Sequence, residues 1–163
     1  ISLALVLFDY LKARNEPFKN LFMAVFGKML RHREEQGGMT ASTIVVASAA
    51  LTILIFRTEI AVASLVFLSL GDSAAALVGR HCGRIRLVSG RTLEGSLAAL
   101  NTCLLASIAL MALRPYLGWS LTPVALLAGS VAATLAELFE LPLDDNLRIP
   151  LAAGLVMELV VPG

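Results

Sequence analysis

Four stretches of this chain, residues 40–56, 60–78, 96–113 and 121–138, are apolar over almost the length a helix needs to cross about 30 Å of hydrocarbon. A fifth, 149–161, is shorter and carries Glu158 near its far end. Composition agrees: 58% of the residues are hydrophobic and only 15% charged, with a mean hydropathy of +0.83, well outside the soluble average. The expected fold is therefore all-α, a polytopic transmembrane helical bundle of about five spans, with residues 1–163 as a single integral membrane domain. The apolar stretch 1–8 is too short for a span or a signal peptide, and the chain opens on Ile1. It reads as a truncated N-terminal helix of a longer chain.

The charges are segregated, so the net value of +1 matters less than its distribution. Eleven of the thirteen Lys and Arg residues fall in alternate loops: residues 9–39, 79–95 and the acidic segment that ends at Arg148. By the positive-inside rule these three loops face the cytoplasm, and the two others, with Arg57 and Arg114, face away. No block of like charge calls for nucleic acid. Residues 10–35 place Leu11, Phe18, Leu21, Phe22, Val25, Phe26, Met29 and Leu30 at helical spacing among basic residues. That pattern is an amphipathic interfacial helix, either a linker lying in the headgroups or the lining of a lipid entry.

Polar clusters recur at the ends of the apolar runs. Gly71, Ala75 and Gly79 repeat every four residues, a device for close helix approach. Asp72 needs another reason, because a carboxylate in hydrocarbon has to be paired, hydrated or metal-bound. In the next loop, Gly79-Arg80, Gly83-Arg84 and Gly90-Arg91-Thr92 set glycines beside guanidinium groups, a combination suited to wrapping a polyphosphate. Glu94, Gly95 and Ser96 open the next helix, whose N-terminal dipole favours an anion. Thr92 and Ser96 are either hydroxyl ligands or simple helix caps. Asp144, Asp145 and Asn146 offer oxygen ligands for magnesium, or form a polar turn ahead of Pro150, and Glu137 joins them if its helix end is hydrated. Cys82 and Cys103 are set too differently for a disulfide framework or a zinc site. The sequence has no Walker-type phosphate loop, no protein-kinase motif and no nucleophile elbow, while His32 and His81 stand alone in basic loops.

Taken in order, Gly71-Asp72-x-x-Ala75, Gly79-Arg80-x-x-Gly83, Gly90-Arg91-Thr92-x-Glu94-Gly95-Ser96 and Asp144-Asp145-Asn146-x-x-Ile149-Pro150 resemble the CTP-dependent lipid kinases, the family of dolichol or polyprenol, phytol and CTP-using diacylglycerol kinases. The likeness reaches upstream to Leu30-Arg31-x-x-Glu34 and Met39-Thr40-Ala41-Ser42-Thr43. It departs from the family pattern at Arg91, where Lys is usual, and at Ala41-Ser42-Thr43, where Gly-Ala-Thr is usual. The resemblance implies transfer of the γ-phosphoryl group of CTP to the hydroxyl of a membrane lipid alcohol, with Mg²⁺ as cofactor and the site facing the cytoplasm from a bacterial plasma membrane or a eukaryotic endomembrane. It implies Asp72, Asp145 and Glu94 as catalytic residues and Asp72, Asp144, Asp145 and Asn146 as metal ligands. Phosphate binding falls to Gly79, Arg80, Gly83, Arg84, Gly90, Arg91, Thr92, Gly95 and Ser96, with Arg31, Glu34, Thr40, Thr43 and Glu137 in support.

Two other readings compete. Phosphatidate cytidylyltransferase has a similar Gly-Asp helix and basic loop, but its Ser-Pro element is missing here and the Asp144-Asp145-Asn146 segment looks like the kinases. A transport or ion-relay protein predicts polar residues near the middle of several spans, whereas here they gather at the ends.

Overall fold

The structure, a computed structural model, describes residues 41–87, 90–139 and 144–161. The chain divides into two compact units, residues 1–50 and 51–163. The expected amphipathic helix at 10–35 and the stretch 1–8 lie outside the described residues.

All regular elements among the described residues are helical. Helix α1 is Ala41–Ile55, whose first ten residues belong to the first unit. In the second unit, α2 (Thr58–Phe67) runs through a π-helical turn, Leu68–Asp72, into α3 (Ser73–Cys82). Then come α4 (Leu93–Leu117), α5 (Pro123–Leu138) and α6 (Asp145–Val160). Each start has a local cause. Thr92 and Thr122 accept hydrogen bonds from the backbone N–H groups of Gly95 and Ala125, and Asp144 accepts one from Asn146; each partners an N–H that has no intrahelical carbonyl. Pro123 occupies the first turn of α5, where its missing N–H costs nothing. Gly118 ends α4 in the left-handed region at φ 64°, a conformation that glycine enters without strain.

Two helices are long and apolar enough to cross a membrane: the continuous 25-residue rod Thr58–Cys82 and the 25-residue α4. At 1.5 Å per residue each reaches about 37 Å, more than the roughly 30 Å of hydrocarbon. Helices α1, α5 and α6, at 15 or 16 residues, reach only about 24 Å. The helices thus fall where the apolar runs predict them, and two reach a full crossing by length. Large apolar side chains such as Leu105, Ile108, Leu127 and Leu159 point outward, a surface that suits lipid better than water and suggests membrane association.

Inside the second unit, small residues set the helix spacing. Helices α5 and α6 form the most extensive pair, followed by α3 with α4 and α4 with α5. A β-carbon added at Gly154 would sit 2.5 Å from the Phe56 ring, and one at Gly129 would sit 2.6 Å from Met157. Ile60, Phe67, Leu126, Ile149 and Met157 fill the centre. The hydroxyls of Ser107 and Ser130 meet at 3.0 Å between α4 and α5. Small side chains and interhelical hydroxyl bonds are what join helices where no hydrophobic driving force separates lipid from protein.

Candidate functional site

The site begins where α3 crosses the start of α4. A β-carbon at Gly79 would lie 3.0 Å from Thr92 Oγ1, and one at Gly95 would lie 2.9 Å from the Ala75 carbonyl. At Gly83 an added carbon would collide with the Gly79 carbonyl. Farther along, one at Gly71 would lie 2.8 Å from Cys103 Sγ. Gly71, Ala75 and Gly79 therefore turn one small-residue face toward α4, and the two backbones nearly touch. Thr92 is wedged among Gly79, Gly83 and Gly95 while its hydroxyl caps α4 at 3.2 Å from Gly95 N.

The described part of the loop between these helices is folded onto itself. Leu87 N–H donates to the Arg91 carbonyl at 2.7 Å and Leu93 N–H to Ile85 at 2.9 Å; Arg86 and Thr92 form an antiparallel bridge. Gly90 supplies the left-handed corner at φ 72°. Glu94 braces this loop, its carboxylate accepting from the Arg84 N–H at 3.0 Å and from the Ile85 N–H at 3.3 Å. Glu94 is thus turned to the main chain of the loop, which it holds in place.

A cavity of about 170 Å³ opens beside the crossing, lined by Gly79, Arg80, Gly90, Arg91, Thr92, Gly95, Ser96 and Glu137, together with Ala75 and Ala76. That is below the roughly 300 Å³ at which drug-sized sites begin, room for phosphate groups but not for a whole nucleotide. Arg80 stands at its wall, its Nε donating to the Ala76 carbonyl at 3.0 Å. Several α4 N-terminal amides are already used: Leu93 N–H by Ile85, Gly95 N–H by Thr92 Oγ1 and Ser96 N–H by the Thr92 carbonyl. An anion here would feel the helix dipole and the guanidinium groups more than a cradle of free N–H donors.

At the cavity, charges from three helices converge on Arg91. Its Nη1 lies 3.0 Å from Glu137 Oε1 at the end of α5, and its Nη2 lies 2.6 Å from Asp145 Oδ2 at the start of α6. The other Asp145 oxygen pairs with Arg148, whose Nε donates to the Ala136 carbonyl at 2.7 Å. Glu137 is only 3% exposed and Ser96 8%, and Glu137 Oε2 and Ser96 Oγ meet no other side chain or main-chain partner. Asp72 and Asp145 lie within electrostatic reach of the Glu137 carboxylate, and the Ser96 hydroxyl is near enough to donate a hydrogen bond to it. Asp72 and Glu137 also line one crevice, too narrow for water, with Gly71, Cys103 and Thr134. Asp72 ends the π-helical turn, a form common at functional positions because one extra residue re-aims the side chains after it.

The structure thus brings Asp72, Arg80, Arg91, Ser96, Glu137 and Asp145 together at one end of the second unit. It does not assemble Asp72, Asp144, Asp145 and Asn146 as one ligand set. Asp144 Oδ1 accepts from both the main-chain N–H and the side-chain Nδ2 of Asn146, at 3.0 and 2.8 Å, so this pair closes the helix cap, and Asp145 is spanned by two guanidinium groups. Among the described residues no group of three or more His, Cys, Asp or Glu is arranged to hold a metal. Arg84 engages the site through its main chain. Thr43 lies on α1 in the first unit, and Arg31, Glu34 and Thr40 lie outside the described residues. Arg148, 5% exposed, is the residue missed; an arginine three positions after Asp145 on an otherwise apolar helix was the available signal.

No family model matches the chain, and no solved structure matches it. The chain is similar to an uncharacterized protein of Rickettsia prowazekii (strain Madrid E), 28% identical over 165 residues that cover 93% of this chain and 79% of the relative.

Proposed function

We propose that this protein is an integral membrane phosphotransferase that moves the γ-phosphoryl group of CTP to the hydroxyl of a lipid alcohol at the cytoplasmic face, its helices forming a polytopic bundle. The observation that carries the reading is the convergence of Arg80, Arg91, Ser96 and Glu137 on one phosphate-sized cavity, with Asp72 on the narrow crevice that also meets Glu137. The choice of CTP and of a lipid acceptor comes from the resemblance of the ordered motifs to the CTP-dependent lipid kinases.

Phosphoryl transfer asks for little covalent chemistry from the protein, so positioning and charge carry the rate. Arg80 and the N-terminal dipole of α4 draw the phosphates to the cavity. The braced loop and the α3–α4 contact hold these groups at fixed spacing, which reduces the reorganisation needed when substrate arrives. Asp145 is held on both oxygens by guanidinium groups, and Asp72, which the resemblance marks as catalytic, would accept the proton of the alcohol. The outward apolar faces of the helices give the lipid chain its solvent. Among the described residues no group of three or more His, Cys, Asp or Glu is arranged to hold a metal, so the Mg²⁺ that the resemblance implies would arrive with the nucleotide phosphates and supply charge neutralisation there.

Purified protein given labelled CTP, Mg²⁺ and a panel of lipid alcohols is expected to yield lipid phosphate and CDP. Release of pyrophosphate with phosphatidate as acceptor would instead establish the cytidylyltransferase, and absence of both products would remove the enzyme reading.

A further inference from the structure

We infer that Arg148 is a positioning residue for the phosphate-sized cavity: it fixes Asp145, and through Asp145 it sets the guanidinium of Arg91. What Arg91 then does with an anion rests on the phosphoryl-transfer reading; the linkage itself rests on geometry. Arg148 is 5% exposed and is not among the residues that line the cavity, so it acts there only through another side chain.

Asp145 opens α6, and its side chain is 36% exposed, so alone it could turn to water. Arg148, one helical turn on and on the same helix face, engages its Oδ1. Oδ2 is then directed to Arg91, 2.6 Å from Nη2. Arg148 is held in its turn: its Nε donates to the Ala136 carbonyl at 2.7 Å. That carbonyl lies in the last turn of α5, where no intrahelical N–H is available to it and where a cation is favoured by the helix dipole. A planar guanidinium bound through both Nε and Nη2 cannot rotate without losing one partner.

Ala136 immediately precedes Glu137, whose Oε1 lies 3.0 Å from Arg91 Nη1. The contacts therefore close a ring through Ala136, Arg148, Asp145, Arg91 and Glu137, in which positive and negative side chains alternate. Both carboxylates that hold Arg91 are referred to the same end of α5, Glu137 by the chain and Asp145 by Arg148. An arginine carries more N–H donors than two carboxylate oxygens use, so donors remain for an anion in the cavity that Arg91 lines. The ring keeps those donors in place before the anion arrives, which lowers the ordering cost of binding. A lysine at position 148 would keep the charge but gathers its donors at one point, and it could not serve Ala136 and Asp145 with the same geometry.

The test joins two measurements on the purified full chain. Nitrogen NMR of protein carrying isotope-labelled arginine reports rotation of the Arg91 guanidinium, whose signals are assigned by their loss in Arg91→Lys. Separate Nη signals are expected in the native protein and averaged ones in Arg148→Gln and Asp145→Asn. Averaged signals already in the native protein, or separate signals that persist in Arg148→Gln, would overturn the linkage. In equilibrium dialysis with labelled CTP, Arg148→Gln should weaken binding by about tenfold, the order expected when one charge-assisted hydrogen bond is loosened. In the Arg91→Lys background the same substitution should change affinity by less than about twofold, because residues that act through one another are not additive. An equal loss in both backgrounds would show that Arg148 serves the fold alone, and would overturn its role at the cavity. Removing a buried partner destabilises a chain, so thermal unfolding is measured alongside, and if Arg148→Gln does not fold, Arg148→Lys is carried through both comparisons. Restricted Arg91 signals that are released in Arg148→Gln, in a protein that binds no CTP, would keep the linkage and remove the kinase reading.

Discussion

The two ends of the second unit use similar residues to different effect. At the end where α2 begins, Glu59 reaches across to Ser120, both oxygens engaged by its N–H at 2.6 Å and its hydroxyl at 2.5 Å. Beside it, Arg57 pairs with Glu158 at 3.1 Å on side chains about two-fifths exposed, and Arg114 donates to the Trp119 carbonyl. Each group there ties one helix end or loop to its neighbour. Glu158 Oε2 lacks a partner, but its side chain is 39% exposed, so a small rotation reaches solvent. At the other end Arg91 is shared by two carboxylates, and Glu137, 3% exposed, lies beside an open cavity. At the first end the polar residues close on one another and staple the fold; at the second they surround a cavity.

The contrast can be broken most directly at Asp72. Asp72→Asn is expected to lower phosphoryl transfer from CTP by on the order of 100-fold or more while the protein stays folded; unchanged turnover would dissolve the distinction between the ends. Next in size is Gly83→Ala, whose added carbon collides with the Gly79 carbonyl. It should destabilise the fold by about 1–3 kcal/mol, lowering the unfolding temperature and activity together as the braced loop is displaced. Glu59→Gln sharpens the other side of the comparison: disturbing its two bonds to Ser120 should cost about 1–3 kcal/mol in denaturant unfolding, with turnover within about twofold of the native protein. Smallest is Arg57→Ala, which removes an exposed pair worth about 0.2–1 kcal/mol and should leave activity as it is. A drop in turnover as large as that of Asp72→Asn in either of the last two variants would show that chemistry is not confined to one end.

Much of the fold is legible in the amino-acid sequence. The apolar runs at 60–78, 96–113 and 121–138 mark the cores of Thr58–Cys82, Leu93–Leu117 and Pro123–Leu138, because an apolar run of that length has few other ways to satisfy its main chain. The caps are legible too, since Thr92, Thr122 and Asp144 are the residue types that accept from a first-turn N–H. The spacing of Gly71, Ala75 and Gly79 announces a close helix contact without naming the partner. Roles within the site are harder to read. Asp144 and Asn146 are residue types that suit magnesium yet bond each other, and Glu94 is of a type that suits catalysis yet holds the loop.

Local composition alone determined that the described residues are helical, where their helices begin, and that their polar groups gather at helix ends, because each of those outcomes is decided within a few residues by hydropathy and capping. Only the tertiary structure decided that Arg91 meets Glu137 and, across 54 residues, Asp145, and that Ser96 opens onto the same space as Glu137. Such meetings depend on how far each helix is rotated about its axis. That rotation is set by backbone contacts at Gly79 and Gly95 and by the extra residue in the turn before Ser73, and no local pattern of side chains encodes it.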